Sequence, residues 1–233
     1  MLEVIAPDLY VATGPFSVAG VSLGGRMTVV RLPSGDLWMH SPIAVNDALA
    51  DAVVALGTLR HIVAPSCFHH LYVQGWLDRF PGATLHAPDN LSKKRRDLAI
   101  HRPLADEADP AWGGVLRPFH IAGAPMADEW VFIHTPSASL IVTDCLFNFR
   151  EKPEWGWWQR TYLRMTAASG GVRMSRIFRL AIRDRDALRA SFEALLAAGF
   201  ERLIPTHGEV LPSGAAAATR DGLAWLLDDP TKR

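Results

Sequence analysis

Between residues 37 and 87 the chain alternates runs that suit strands with runs that suit helices. Leu37–His40, His61–Ala64 and Thr84–Ala87 are short, β-rich apolar runs. Asn46 predicts an N-cap, Asp47 to Leu56 a helix, and Gly57 its end. A second helix of roughly ten residues is expected after His69-His70, with Leu71, Trp76 and Leu77 inward and Pro81-Gly82 as its stop. Such alternation excludes an all-helical or all-β design and argues for helices covering a sheet.

The flanks extend the pattern. Residues 1–45 read as antiparallel β structure, with Leu9–Ala12, Met27–Leu32 and Leu37–His40 as strands and Pro33-Ser-Gly-Asp36 as a hairpin turn. Residues 102–118 read as loop. Strands resume at Leu116–Ile121, Glu129–His134 and Ser139–Thr143, which suggests a second sheet. Residues 149–183 break the pattern with Trp155, Trp157, Trp158, Tyr162, a spread of arginines (Arg150, Arg160, Arg164, Arg173, Arg176 and Arg179 among them) and a Ser169-Gly-Gly hinge; they read as a helical, aromatic-rich insertion. Asp184 to Ala198 is a helix ended by Gly199, Arg202–Pro205 a short strand, and about 215–227 a last helix. The expectation is one mixed α/β domain over residues 1–233, with 149–183 inserted within it.

Twenty-four basic residues balance 24 acidic ones, so no global field steers the chain toward nucleic acid, and no nucleic-acid partner is expected. The two cysteines, Cys67 and Cys145, form no CxxC pair and no disulfide framework. No basic, then apolar, N-terminal leader is visible, and no run approaches the roughly 18 apolar residues of a membrane span. These features predict a soluble, cytoplasmic protein. The 153–170 aromatic segment could lid an apolar substrate, join two subunits as a homodimer, rest on a membrane surface, or simply cap the fold.

Chemistry-bearing residues gather at the predicted strand ends. Asp144 closes the apolar run Ser139–Thr143, where a lone carboxylate is badly placed for packing and well placed for a metal or polar substrate. His207 follows Arg202–Pro205, His69 and His70 follow His61–Ala64, and His40 ends Leu37–His40. Asp144 and His207 suit a shared metal; the alternative is an Asp–His hydrogen bond kept for packing. Adjacent histidines at a helix start diverge by about 100°, so one of the pair is expected to face the site, and His70 is preferred. His40 is read either as a substitute ligand or general base, or as a structural histidine. Lys93-Lys94-Arg95-Arg96 is either an anion grip or a solvated face.

This order resembles the metallo-β-lactamase superfamily: a β region, a strand ending in a histidine-rich loop, a strand ending in Thr143-Asp144, and a strand ending in Thr206-His207-Gly208. More closely it resembles an uncharacterised branch, a domain of unknown function, through His40-Ser41-Pro42, Pro65 to Leu71, Glu129 to Asp144 and His207-Gly208. The resemblance implies a four-layer αββα sandwich of two mixed sheets. It also implies a degenerate metal site. In the superfamily's His-x-His-x-Asp-His pattern only His70 matches, Tyr72 and Val73 replace the last two ligands, and Gly123–Met126 lacks the mid-chain histidine. What the resemblance leaves is His70, Asp144 and His207 as metal ligands, for one Zn or Fe ion or for none, with Asp144 and His40 as catalytic residues. The implied activity is a single-metal hydrolysis of an ester, lactone or phosphoester. The alternative is a non-catalytic relative that has lost the metal and binds a small molecule or partner.

Overall fold

The computed structural model describes residues 1–228. The chain begins with β1 (Glu3–Ala6), β2 (Leu9–Gly14), a small hairpin of β3 (Ser17–Val18) and β4 (Val21–Ser22), β5 (Gly25–Arg31) and β6 (Asp36–His40). Then come α1 (Asp47–Val54), β7 (Thr58–Val63), α2 (Val73–Arg79), β8 (Thr84–Ala87), α3 (Asp89–Lys94) and β9 (Arg102–Pro103). The second half holds β10 (Leu116–Ile121), β11 (Glu129–His134), β12 (Ser139–Val142), β13 (Phe147–Phe149), α4 (Trp157–Met165), β14 (Gly171–Arg173), α5 (Arg176–Arg179), α6 (Arg185–Ala198), β15 (Arg202–Pro205), α7 (Ala215–Gly222) and α8 (Ala224–Leu227).

Two mixed sheets form, one of seven strands in the order β1-β2-β5-β6-β7-β8-β9 and one of four in the order β10-β11-β12-β15. Their facing sides supply one apolar layer, including Val11, Val30, Trp38, Phe132, Ile141 and Ile204. The outer side of the larger sheet packs on α1, α2 and α3 through Leu49, Val53, Trp76 and Leu91. That of the smaller packs on α6, α7 and α8 through Leu188, Phe192, Ala215 and Leu226. Strands sandwiched this way must be apolar on both faces, which is why Leu37–Met39 and Ser139–Val142 read as continuous runs without alternation. The expected αββα sandwich is what forms.

Local signals place the elements where they stand. The Asn46 side chain accepts the Leu49 N–H at 2.9 Å and starts α1. Asp184 caps α6 by accepting from Asp186 and Ala187. Three expectations need correction. Residues 102–118 are more than loop: they contain β9 and a 3₁₀ turn, Pro110–Trp112, whose Trp112 is buried between the sheets beside Trp38 and Phe132. The segment 149–183 is not wholly helical, because β14 pairs antiparallel with β13, Phe147 opposite Arg173. The last helix is two, divided at Leu223. No helix among the described residues is long and apolar enough to cross a membrane.

Two pairs of parallel strands decide which loops can meet. β6 and β7 run side by side with His40 opposite Val63, and β12 and β15 with Val142 opposite Pro205. Their carboxyl ends therefore emerge together, and the chain segments leaving β6, β7, β12 and β15 are brought to one place.

The interior also holds histidines that stay neutral. His61 Nδ1 and His86 Nε2 share a hydrogen bond of 3.0 Å beside Trp112. Burial, then His61, pushes His86 from 6.5 down to about 4. Burial likewise pushes His134 down to about 4. An unfolded chain takes up these protons below pH 6.5 while the fold refuses them, so stability is fully present above that pH and falls as pH drops toward 4. For His86 the loss at the acid end is expected to be roughly 3 kcal/mol. Urea midpoints measured from pH 7 to 4.5 should fall steadily, and His86→Leu, though less stable at pH 7, should show a shallower fall. An equal slope in the variant would mean that His86 does not contribute to the acid sensitivity.

Candidate functional site

Asp144 owes its position to Glu129. The Glu129 side chain, fully buried at the start of β11, accepts the N–H groups of Thr143 (2.8 Å), Asp144 (3.1 Å) and Cys145 (2.9 Å). Three consecutive amides aimed at one carboxylate fix the turn that ends β12 and point the Asp144 side chain the other way. Burial and then the Asp144 charge push the Glu129 carboxyl up from its usual range, and the amides work against that rise.

Asp144 meets two imidazoles. Its Oδ2 lies 3.1 Å from His69 Nε2 and its Oδ1 lies 3.9 Å from His207 Nε2. One ligand atom from each of the three residues lies within 4.8 Å of the others. Burial works against the Asp144 charge, but His69, through charge and hydrogen bond, and His207 hold its pKa below the usual value. Burial works against protonated His69 too, and Asp144 lifts its pKa nevertheless. Burial followed by His69 pushes His207 down to about 4.

The loop after β15 holds His207 from several sides. Arg26, on β5, donates Nη1 to the Pro205 carbonyl and Nη2 to the Gly208 carbonyl at 2.9 Å. The Thr206 N–H reaches the Val142 carbonyl at 3.0 Å. His207 Nδ1 lies 2.5 Å from the Gly24 carbonyl, which can only accept; the proton is therefore on Nδ1 and the Nε2 lone pair faces Asp144. Phe16 stacks on the ring at 5.2 Å. Gly208 sits at φ 93° with its Cα against Asn148, and a Cβ there would lie 2.4 Å from the Asn148 carbonyl oxygen. Only glycine lets the chain turn here.

His69 is the histidine of the adjacent pair that faces the site, which reverses the preference for His70. The reason is a turn, not a helix: Ser66 Oγ accepts the N–H groups of Phe68 and His69, and α2 starts only at Val73. His69 Nδ1 then lies 2.9 Å from Ser41 Oγ, at the end of β6. His70 turns away, and its Nδ1 accepts from Arg95 Nη1 at 2.9 Å. Burial, then Lys94 and Arg95, pushes it down to about 4.

His40 is not where a proton shuttle needs to be. It is fully buried, stacked on Trp38 at 5.6 Å with Phe132 edge-on, and neither ring nitrogen has a hydrogen-bond partner. Burial pushes it down to about 3. It has no contact with the cavity through which to act as a base. Its neighbour Ser41, at φ 49°, is the residue that enters the site from β6. The basic run 93–96 divides its tasks: Lys94 Nζ donates to the Cys67 carbonyl, and Arg95 pairs with Asp97.

Ser41, His69, Asp144 and His207 lie on the floor of a cavity of about 450 Å³. Tyr162 and Leu163 of α4, and Thr166 just beyond it, form part of its wall, so the inserted segment helps to roof it. Sequence reasoning missed Ser41 and Glu129. Both carried a signal: Ser41 comes directly after a strand, and Glu129, next to Asp128, is a carboxylate placed inside the strand that continues as the apolar run Trp130–Ile133.

Comparison with solved structures gives the architecture its name. The DIM-1 metallo-β-lactamase exposed to ceftazidime superposes with TM-score 0.67 at 15% identity, covering 97% of this chain and 96% of that one. The metallo-β-lactamase from Pontibacter korlensis gives 0.66 at 11%, over 98% and 99%. The metallo-β-lactamase FIM-1 from Pseudomonas aeruginosa in its mono-zinc form gives 0.64 at 10%, over 98% and 96%. The chain has the metallo-β-lactamase fold. Residues 10–93 match the model of a domain of unknown function (DUF4336). No curated protein matches the sequence.

Replacing Glu129 by Gln leaves three buried amides facing one neutral acceptor and an NH₂ group. The expected cost is roughly 3 kcal/mol, from charge-assisted bonds lost and donors left unpaired. The loop should also loosen, and peptide mapping should show faster alkylation of Cys145, which is fully buried in the native fold. Unchanged melting and labelling would show that the carboxylate does not hold the turn.

Proposed function

We propose that the chain is a single-metal hydrolase-like protein acting on an ester, lactone or phosphoester, with His69, Asp144 and His207 holding one divalent ion. The observation that carries this reading is the convergence of three ligand atoms within 4.8 Å on the floor of a cavity. Two imidazoles and one carboxylate are a donor set for zinc or ferrous iron, and three protein ligands with a position left open is the count of a catalytic site. The 3.1 and 3.9 Å separations from Asp144 bracket the roughly 3.3 Å that two ligands of one tetrahedral ion keep.

When bound, the ion supplies Lewis acidity at the cavity floor. The rest is done by the chain's own groups. The Gly24 carbonyl fixes the His207 tautomer with the Nε2 lone pair free. Ser41 Oγ can donate to or accept from His69 Nδ1, so it holds that ring in either protonation state. Asp144 Oδ2 and His69 Nε2 lie close enough to share a proton while no ion is held, and they give that proton up when one binds. The apolar walls keep bulk water from the floor, which strengthens every charge interaction there.

A second reading rests on the same 3.1 Å contact. His69 and Asp144 satisfy each other without an ion, as a non-catalytic relative that keeps the cavity for a small molecule would require.

Elemental analysis separates the two. Protein purified without a histidine tag, after growth with zinc and iron, should carry close to one ion per chain, lost in Asp144→Ala and His207→Ala and retained in His70→Ala. Ser41→Ala should bind the metal roughly 10- to 100-fold more weakly. Less than about a tenth of an ion per chain would leave the non-catalytic relative standing.

A further inference from the structure

The cavity itself says what kind of molecule it takes. Phe16, Ile43, Phe147, Leu163 and Phe178 are among the side chains that wall it. Among the described residues no lysine or arginine lines it, and Asp144 is its one carboxylate. Polar atoms are confined mainly to the floor and to a few hydroxyls. The apolar wall also continues outward: Phe68, Leu71, Ile177 and Leu180 belong to the lining and are 40, 59, 54 and 75% exposed. An apolar surface that runs from a polar floor out to solvent matches a ligand with one polar end and a long apolar tail.

The same lining argues against an anion. A phosphodiester or free carboxylate entering an apolar site loses its hydration, and sites that take such groups replace it with arginine, lysine or a pair of metal ions. Here the side chains supply no positive charge of their own: the one fixed charge in the lining is the Asp144 carboxylate, which already offsets half the charge of a divalent ion held there. We infer that the site takes an uncharged carbonyl compound with an apolar chain, an ester or lactone of a medium-length acyl group, and not a phosphoester. The reactive half of this inference rests on the hydrolase reading; the chain-binding half rests on the cavity alone. In the reaction one water adds across the acyl C–O bond, its oxygen becoming part of the acid and its proton passing to the departing alcohol oxygen. No other co-reactant is needed.

Two measurements on the full chain test this. The first compares hydrolysis of p-nitrophenyl acetate, p-nitrophenyl octanoate and bis-p-nitrophenyl phosphate. The second displaces the neutral dye N-phenylnaphthylamine with methyl octanoate or octyl phosphate, with and without chelator. The octanoate ester should exceed the acetate in kcat/KM by at least roughly tenfold, since each buried methylene adds to binding. The phosphodiester should not be cleaved. Ile177→Glu, on an exposed position that does not endanger folding, should narrow the octanoate-to-acetate ratio. If no ester is cleaved but methyl octanoate displaces the dye at least roughly tenfold better than octyl phosphate, the hydrolase reading fails and the ligand class stands. Cleavage of the phosphodiester, a flat chain-length series, or equal displacement by octyl phosphate overturns the ligand class, the first of these with the hydrolase reading intact.

Discussion

A single buried carboxylate holds this site together. Glu129 sits at the start of β11, where strand pairing alone would favour an apolar side chain, and it binds three successive amides beyond the end of β12. Burying a charge is costly unless it is satisfied, and three N–H donors are what satisfies it. The turn they form cannot drift without exposing that charge. Asp144 is thereby given a direction as well as a position. His69 and His207 then find it at 3.1 and 3.9 Å.

The wider geometry comes from strand direction. β6 and β7 are parallel neighbours in one sheet, and β12 and β15 in the other. Each pair releases its two outgoing segments at one edge, and the sandwich brings the two edges together. Ser41, His69, Asp144 and His207 come one from each segment. The four are separated in sequence and joined only by this topology. Each is held by a contact from a different element: Val63 for the Ser41 amide, Ser66 for the 68–69 turn, Glu129 for the Asp144 turn, Arg26 for the loop carrying His207.

Much of this was legible in the letters. The alternation over 37–87 and the return to strands after 116 give both sheets, because helix and strand periods are hard to confuse over such lengths. Asp144 and His207 stand out as polar residues closing apolar runs. His69 against His70 was not legible. Which of two adjacent side chains faces a cavity depends on a turn, and here that turn is set by the Ser66 hydroxyl rather than by the helix that periodicity suggests. His40 looked available because it ends a strand; its burial comes from Trp38 and Phe132, and the latter is far away in sequence. Trp112 was hidden for the opposite reason, as one buried anchor in a stretch rich in turn residues.

The inserted segment is fastened to the opposite end of the chain by few bonds. Trp158 Nε1 donates to the Ala19 carbonyl at 3.3 Å and Gln159 Nε2 to the Ser22 carbonyl at 2.8 Å. Both come from one turn of α4 and both land on the β3–β4 hairpin. Hydrogen bonds of this kind are each worth about 1 kcal/mol net. The roof and the hairpin therefore form a clasp: a motion that widens the entrance either carries the hairpin along as one body or undoes two weak latches together, and the chain between Ser22 and Gln159, 137 positions apart in sequence, need not rearrange for either to happen.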